Sequence, residues 1–452
     1  MKANSLNLTT QNIPSLIKQL AVPASMGMFF NTMYNVVDTF YAGLISTQAI
    51  SALTLSFMIF FLIIGFGYGF SSAITALLGN AIGKKRYKLA SIYAHKGLIF
   101  VPLIGLGLSI IGYFYAPNLF ILLGAKEEYL QLSLDYINPI LFGAVFFMFN
   151  FSLNSILVAT GDTKTYRNSL IFGFFANLAL NPLFMYGFLF IPAMGIKGIA
   201  LATVLIQVIN MFYLFYKVLQ TKLIHFEKLE YFIPNMKVYK QFFVQGMPAS
   251  INMLTMAIGS LILTYFVSHY GMYAVAGYGI GYRVEQLMLL PALGLSTAVL
   301  TLVSNNYGAK KYDRVIETLK VSIKYGFIIS TFGIIFLTLL GRIIISLFDS
   351  NSVVIDFGVD FLLVEIWIFY AYVILFICVS TLQGIKQPKM LLYIGLYRQI
   401  IAKLVISYLI VKYFELDFIY LWFGILFMIY SAAIFTYFYT NGLLKKLLNR
   451  SL

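Results

Sequence analysis

Asp38 is the only charged side chain in a long apolar stretch of the sequence, because no other Asp, Glu, Lys or Arg occurs between positions 18 and 84. Asn31, Tyr34 and Asp38 recur at helical spacing and share one face, with Asn35 beside them. A carboxylate inside a membrane costs a few kcal/mol or more and usually marks an ion or proton pathway. The pattern predicts a proton or cation site at Asp38. The alternative is a neutral carboxylic acid that is hydrogen-bonded to neighbouring helices.

Polar side chains in other apolar segments could complete such a site. Asn177 and Asn181 are four residues apart, so they share a helix face, and Pro182 follows directly. Amide oxygens can ligate Na⁺ or hold a hydrogen-bond network, and the sequence leaves both alternatives open. Further candidates are Tyr136, Asn138, Asn150, Asn154 and Thr203. Each of these, taken singly, could also be a polar contact between helices.

A second group of charges falls inside apolar segments of the C-terminal half. Its members are Arg283, Glu285, Glu365, Arg398 and Lys403. They could form a buried network that holds helices together, or they could contact a substrate. Carboxylates would attract organic cations, whereas the basic side chains would suit anionic cargo. Arg283 and Glu285 are two residues apart and cannot share one face of a helix.

The composition places these residues in a membrane protein. Hydrophobic residues make up 61% of the chain and charged residues 10%, and apolar runs of about 20 residues, each long enough to span a bilayer as a helix, recur throughout. We therefore predict an all-α polytopic membrane protein with twelve transmembrane helices. The predicted spans are 15–44, 49–79, 90–116, 130–160, 166–190, 196–218, 239–268, 273–304, 317–347, 355–384, 390–412 and 417–441.

The net charge of +15 indicates membrane topology and not a nucleic-acid partner. Of the 31 Lys and Arg, 24 fall at the termini or around the loops after spans 2, 4, 6, 8 and 10. Basic residues favour the cytoplasmic side, so we expect both termini to be cytoplasmic. The N-terminus has no pattern of a removable signal peptide. The single cysteine, Cys378, lies in an apolar run, which excludes disulfides and thiolate metal sites.

The two halves of the sequence repeat. The stretch "VPAS" at 22–25 recurs as "MPAS" at 247–250, and "GFSSAITALLGNAIGKKRYKLA" at 69–90 parallels "GLSTAVLTLVSNNYGAKKYDRV" at 294–315, both at an offset of 225. Such matches indicate duplication. We predict an N-terminal lobe (1–218), a cytoplasmic linker (219–238) and a C-terminal lobe (239–452), related by a pseudo-two-fold axis along the membrane normal.

Several motifs together resemble the multidrug and toxic compound extrusion (MATE) transporters. The resemblance rests on "PASMGMFFNTMYNVVDTFYAGLIS", "GNAIGKKRYKLA", "ILVATGDTKTYRNSLIFGFFANLALNP", "GIKGIALATVLIQ", "VQGMPAS" and "NNYGAKKYDRV", which cover nearly the whole chain. Within the family, the chain is most similar to the bacterial and archaeal branch related to DNA-damage-inducible protein F. This resemblance implies a multi-pass protein of the bacterial or archaeal cytoplasmic membrane.

The resemblance also implies roles for individual residues. In that branch an acidic residue of the first span couples export to H⁺ or Na⁺, and Asp38 matches it. Tyr136, Asn154 and Asn177 match residues that neighbour the coupling site, and Pro23 matches a proline at which the first span is thought to bend. The chain departs from the family at Asn181, where members commonly carry Asp before proline. This departure removes a negative charge and favours H⁺ over Na⁺.

A further departure concerns the other family branch, which carries a glutamate in the seventh span. Here that position offers only Thr255 and Met256, so Asp38 is the principal coupling carboxylate that the sequence predicts. The predicted coupling site also includes Tyr34, Asn35, Asn181 and Thr203.

We therefore expect secondary active efflux of amphipathic or cationic compounds, driven by H⁺ or Na⁺ through rocker-switch alternating access. The expected protein is a monomer among membrane lipids, has no cofactor beyond the coupling ion, and holds no metal except Na⁺ at Asp38. The alternative within the superfamily is a flippase for lipid-linked oligosaccharides or other amphiphiles. A membrane enzyme is disfavoured because the three histidines of this chain lie near the predicted membrane edges or in the linker. They are His95, His225 and His269.

Overall fold

The computed structural model describes residues 6–449, apart from the side chain of Leu229, and this part of the chain is almost entirely helical. In chain order the helices α1 to α14 are Ile13–Ile45, Thr47–Gly83, Tyr87–Leu122, Glu127–Ala159, Lys164–Tyr186, Ile196–Gln220, Met236–Val267, Met272–Gly308, Tyr312–Ser346, Ser352–Glu365, Ile368–Gly384, Lys389–Leu396, Ala402–Tyr408 and Phe418–Asn449. An isolated bridge between Phe188 and Ile191 is the only β pairing in the described range. The all-α prediction is confirmed.

Ten of the described helical segments are long and apolar enough to cross a membrane, and α10 with α11 forms an eleventh, bent pair. The helix α1 has 33 residues, which is sufficient length at about 1.5 Å per residue, but it is not among these segments. Its stripe of Asn, Thr and Asp lowers its hydropathy. Counting α1, the helices account for the twelve predicted spans.

The predicted span 355–384 is broken in the structure. The helices α10 and α11 are bent by 53° at a break that follows Glu365. The Tyr430 hydroxyl of α14 donates a hydrogen bond to the carbonyl oxygen of Trp367 at 2.8 Å. A side chain that takes a backbone acceptor out of the helical ladder is a recognised cause of such a bend. This tertiary contact lies at the break, where the sequence has neither proline nor glycine.

The predicted span 390–412 is also irregular. It contains two π-helical segments, Tyr397–Ile401 and Leu409–Tyr413, on either side of α13. Single π-turns inside helices are frequent at functional sites. The first of them carries Arg398, one of the predicted membrane charges.

The described chain packs as two units, and α1 and α7 each contribute to both. One unit holds Met26–Ser250, and the other holds Asn7–Ser25 together with the residues from Ile251 onward. The predicted division at 1–218, 219–238 and 239–452 follows the sequence repeat, whereas the packing units differ from it at these two helices. Residues 1–5 and 450–452 of that division lie outside the described residues.

The repeated Pro-Ala-Ser motif supplies a close helix contact within each unit. A Cβ atom added to Gly69 of α2 would lie 2.5 Å from the backbone nitrogen of Ser250 in α7. In the other unit, a Cβ atom on Gly294 of α8 would lie 2.8 Å from the backbone nitrogen of Ser25 in α1. Small residues at such points let helix backbones approach closely. The motif thus marks where α7 meets α2 and where α1 meets α8.

Replacing Gly69 with alanine should lower stability, because the added methyl group would force α2 and α7 apart. We expect a loss of about 1–3 kcal/mol, as for other overpacked sites, measured by thermal melting of the detergent-purified protein. Gly107→Ala is the matched control, since a Cβ atom at Gly107 of α3 has no neighbour within 4 Å. Equal melting temperatures for the two variants would contradict the close contact.

The connection between α6 and α7 is held on α3. The Ser91 hydroxyl donates to the Leu223 carbonyl at 2.6 Å, and the His225 backbone N–H donates to Nε2 of His95 at 3.1 Å. Lys96 Nζ donates to the carbonyl oxygen of Ile233. These contacts account for His95 and His225 as structural residues of the linker.

Candidate functional site

Asp38 lies in α1 with its side chain buried, 3% exposed, against α5 and α6. Its Oδ1 accepts hydrogen bonds from Nδ2 of Asn177 at 2.8 Å and from Nδ2 of Asn181 at 2.9 Å. Its Oδ2 accepts a hydrogen bond from the Thr203 hydroxyl at 3.3 Å. The structure therefore brings four sequence-predicted residues from three helices into one buried cluster, which we call the Asp38 cluster.

Helical spacing explains how α5 presents two amides to one carboxylate oxygen. Asn177 and Asn181 are one turn apart, both are fully buried, and their side chains also bond to each other at 3.2 and 3.4 Å. Tyr41 of α1 fixes the register of the two helices, because its hydroxyl donates to the carbonyl oxygen of Leu178 at 3.0 Å. Helical spacing on α5 and the hydrogen bond from Tyr41 to α5 therefore hold the cluster in place.

The two predicted tyrosines lie beside this cluster. Tyr34 and Tyr136 are each within electrostatic range of the Asp38 carboxylate, and Tyr136 of α4 is buried. The Tyr34 hydroxyl is buried and has no hydrogen-bond partner among the described residues.

Two predicted residues take other positions. The Asn35 amide is half-buried and donates to the Asn31 carbonyl oxygen of its own helix at 3.0 Å. Asn154 has a buried amide oxygen with no hydrogen-bond partner among the described residues, and none of the contacts found there joins it to Asp38. The sequence predicts both residues at the coupling site, but in the structure neither side chain forms a hydrogen bond with Asp38.

The hydrogen-bond donors of the Asp38 cluster converge on the carboxylate. With the amides oriented to satisfy the carboxylate, Asn177 and Asn181 present N–H groups to Asp38, and each amide oxygen is bonded to the other residue. Within the described residues there is no group of three or more His, Cys, Asp or Glu side chains placed to hold a metal.

Pro23 lies inside α1, which continues as a helix from Ile13 to Ile45. The boundary between the two packing units falls two residues later, after Ser25. Pro23 lacks the N–H group that would complete the helical ladder. Its hinge role stays a prediction, and its position at the unit boundary is where such a hinge would act.

In the second unit four of the five predicted membrane charges are buried. Glu285 and Glu365 are each 3% exposed, Arg398 is 5% exposed and Lys403 is 7% exposed. Arg283 is exposed, two residues away from Glu285, and does not join them. Glu285 and Glu365 lie within electrostatic range of Lys403.

Sequence reasoning missed two neighbours of these charges. Gln399 accepts a hydrogen bond from Lys403 Nζ at 3.1 Å, and its four-residue spacing from Lys403 is a signal that could have found it. Gly259 of α7 lies against both side chains, and nothing in the local sequence marks it. Elsewhere in this unit, Asp356 pairs with Arg342 at 3.0 Å with both side chains mostly exposed.

Comparison with known proteins identifies the family. A family model described as MatE matches residues 23–183 and 248–409. Probable multidrug resistance protein YoeA of Bacillus subtilis is 28% identical over 326 residues, which are 72% of this chain and 70% of that protein. The FAD transporter of Shewanella oneidensis is 25% identical over 398 residues, 88% of each chain.

The fold agrees with this assignment. A solved MATE family transporter of the MOP superfamily, titled as a multidrug resistance protein in an outward-facing conformation, matches with a TM-score of 0.91 over 99% of both chains at 24% identity. The twelve-helix prediction fits that fold. The chain therefore belongs to the MatE family and is a multi-pass membrane transporter.

Proposed function

We propose that the protein exports amphipathic or cationic compounds in exchange for protons, with Asp38 as the coupling group. The observation that supports this proposal most directly is the buried carboxylate that accepts hydrogen bonds from Asn177, Asn181 and Thr203. None of the ion pairs within 4 Å among the described residues involves Asp38. An ionisable group inside a membrane without a fixed counter-charge usually marks an ion or proton pathway.

The hydrogen bonds indicate how the carboxyl group exchanges its proton. An ionised carboxylate only accepts hydrogen bonds, and all three neighbours donate to it. Protonation at Oδ2 creates an O–H donor, and the Thr203 hydroxyl can accept from it by rotating its own hydrogen. The two amide bonds to Oδ1 need not change. Proton binding thus alters the charge of the cluster while most of its geometry is kept.

The charge of Asp38 changes during the proposed transport cycle. In the ionised state Asp38 attracts a cationic compound or a proton, and in the protonated state it releases the compound. Relief of the charge would let α1 bend near Pro23 as the two units rock between inward and outward access. The excess of Lys and Arg in the loops after α2, α4, α6 and α8 supports a cytoplasmic position for those loops and for both termini.

Transport in proteoliposomes tests this function. The vesicles carry a fluorescent organic cation, and a pH gradient or a Na⁺ gradient is imposed separately, with the membrane potential clamped by K⁺ and valinomycin. We expect the pH gradient to drive export and the Na⁺ gradient to have no effect. Export driven only by Na⁺ would contradict proton coupling. A parallel arm with FAD asks whether the cargo range includes the compound named for one relative.

A further inference from the structure

A cavity of about 50 Å³ lies within the second unit. Glu285 of α8, Glu365 of α10 and Lys403 of α13 face it. The remaining wall comes from Met256, Ser260, Leu263, Tyr278, Tyr282, Phe361, Tyr372, Gln399, Trp422, Ile425 and Ile429. The cavity therefore combines two acidic groups, one basic group and an aromatic lining, all inside one packing unit and separate from the Asp38 cluster.

The charges around this cavity are buried without pairing directly. Among the residues that the structure describes, neither Glu285 nor Glu365 takes part in a hydrogen bond or in an ion pair within 4 Å. The Lys403 ammonium donates to the Gln399 amide oxygen at 3.1 Å. Burying an unpaired charge costs several kcal/mol. Carboxylates that face a shared cavity can recover this cost when a cation lies between them.

The backbone holds Lys403 and Gln399 in place at some structural cost. Gln399 belongs to the π-helical segment Tyr397–Ile401, which directly precedes α13. On the facing helix, a Cβ atom added to Gly259 would lie 2.6 Å from the Gln399 amide oxygen and 3.2 Å from Lys403 Nζ. Only glycine at that point leaves room for the two side chains. These are the features of a built site and not of incidental charge burial.

The internal repeat shows what the second unit lacks at the position equivalent to Asp38. At the offset of 225, Gly259 occupies the register of Tyr34, and Leu263 occupies the register of Asp38. The first unit thus presents a carboxylate from α1 that requires a mobile cation. The second unit lacks that carboxylate and instead places an ammonium group against α7, opposite acids from α8 and α10. The second unit carries its own cation on a side chain.

We propose that the second-unit cavity is an exchange site for ammonium-type cations, with the protonated Lys403 side chain as its resident cation. An entering organic ammonium group takes the position between Glu285 and Glu365. Lys403 then loses its proton, as one N–H bond breaks, the electron pair stays on Nζ and H⁺ passes to the solvent. This inference deepens the export of cationic compounds proposed above and rests on it for the identity of the cargo.

The aromatic wall favours an ammonium head group over a larger ligand. The rings of Tyr278 and Trp422 lie 5.3 Å apart, and those of Phe361 and Trp422 lie 4.6 Å apart. Aromatic faces attract ammonium cations. The cavity volume suits a small head group, and the rest of an amphipathic compound would extend beyond it.

The titratable groups around Lys403 limit which side chain can release a proton when a cation binds. The titratable or charged side chains around it are Tyr278, Tyr282 and Glu285 of α8, Glu365 of α10, Tyr372 of α11 and, on its own span, Arg398. Helices α7 and α14 contribute no charged side chain to the cavity wall. The Arg398 guanidinium lies 5.5 Å from the Tyr372 ring centroid and stays charged near neutral pH. Lys403 and the two glutamates are therefore the groups that can release a proton.

Calorimetric binding of methylammonium to the full-length Asp38→Asn protein tests the proposal, because this background removes the first-unit carboxylate. Titrations in two buffers of different ionisation enthalpy count the protons released. We expect saturable binding with release of about one proton per bound cation near neutral pH. The result does not depend on proton coupling through Asp38, so failure of the proposed function would leave it unaffected. Absence of binding would overturn the proposed site.

Three further variants in the Asp38→Asn background assign the proton. Lys403→Met should bind methylammonium about tenfold more tightly without proton release, because the competing charge is gone. Glu285→Gln should abolish binding. Lys412→Met is the matched control, an exposed lysine of the same span, and should change neither quantity. Unchanged proton release in a Lys403→Met protein that elutes as a single folded species would overturn the role of Lys403. Should that variant not fold, Lys403→Gln removes the same charge with a side chain that can still bond to Gln399, and unchanged proton release in that protein would equally overturn the role of Lys403.

Discussion

Asp38→Asn should abolish export driven by a pH gradient, with the rate falling by about a hundredfold or more to that of vesicles without protein. Asparagine has nearly the shape of aspartate and can still bond to Asn177, Asn181 and Thr203, but it cannot ionise. Positioned proton exchange is worth about 10²–10⁴ in rate where it limits a step. The loss should therefore come from chemistry and not from unfolding.

The measurement is export of the fluorescent cation from loaded vesicles under an imposed pH gradient, together with the melting temperature of each purified variant. Asp135→Asn serves as the matched control. This residue also lies in a helix of the first unit and accepts a hydrogen bond from Gln131 of the same helix at 3.0 Å. We expect normal transport from the control and similar melting temperatures for both variants. Intact gradient-driven export in Asp38→Asn would exclude Asp38 as the coupling group.

Much of the Asp38 cluster follows from local sequence, because helical spacing fixes which side chains share a face. The four-residue interval between Asn177 and Asn181 puts both amides on one side of α5, and the isolation of Asp38 marks it among apolar residues. These are properties of single helices. They require no knowledge of which helices pack together.

Features that depend on packing between helices could not be read in this way. The direction of the Asn35 amide depends on a competing carbonyl oxygen one turn back on α1. The hydrogen bond at the break between α10 and α11 comes from a hydroxyl of α14, some 60 residues along the chain. Likewise, the repeat identifies duplicated segments, but it does not predict that Asn7–Ser25 packs with the second unit. The sequence repeat therefore does not predict which helix segments pack into the same unit.

The two units also differ in where their charged side chains lie, and helical spacing alone does not predict this difference. The repeat predicts equivalent helices, yet the charged side chains occupy different registers: Asp38 is on α1 in one unit, and Lys403 follows a π-helical segment in the other. A π-turn shifts every later side chain around the helix axis. The register that points Lys403 at Gly259 could therefore not be derived from helical spacing alone.

Asn181→Asp should give the protein a dependence on Na⁺, because it turns a hydrogen-bond donor to Asp38 into a second carboxylate. The Asn181 amide nitrogen lies 2.9 Å from Asp38 Oδ1. Two like charges about 4 Å apart repel by about 4 kcal/mol at the effective dielectric constant of a protein interior near 20. The pair must then share a proton or bind a cation between its oxygens, and the Asn177 amide and the Thr203 hydroxyl can turn their oxygens toward that cation.

The variant should show transport driven by a Na⁺ gradient at a rate about tenfold or more above that of the unmodified protein, which we expect to be insensitive to Na⁺. Its melting temperature should rise with added NaCl but not with choline chloride, because a bound ion stabilises the folded state. Asn31→Asp is the matched control: it adds the same charge to an exposed position on α1, and it should leave the ion dependence unchanged. If Asn181→Asp remains driven by the pH gradient alone, with no response to Na⁺ in either measurement, the absence of a carboxylate at position 181 does not determine the coupling ion. The coupling ion would then have to be set by groups beyond the Asp38 cluster.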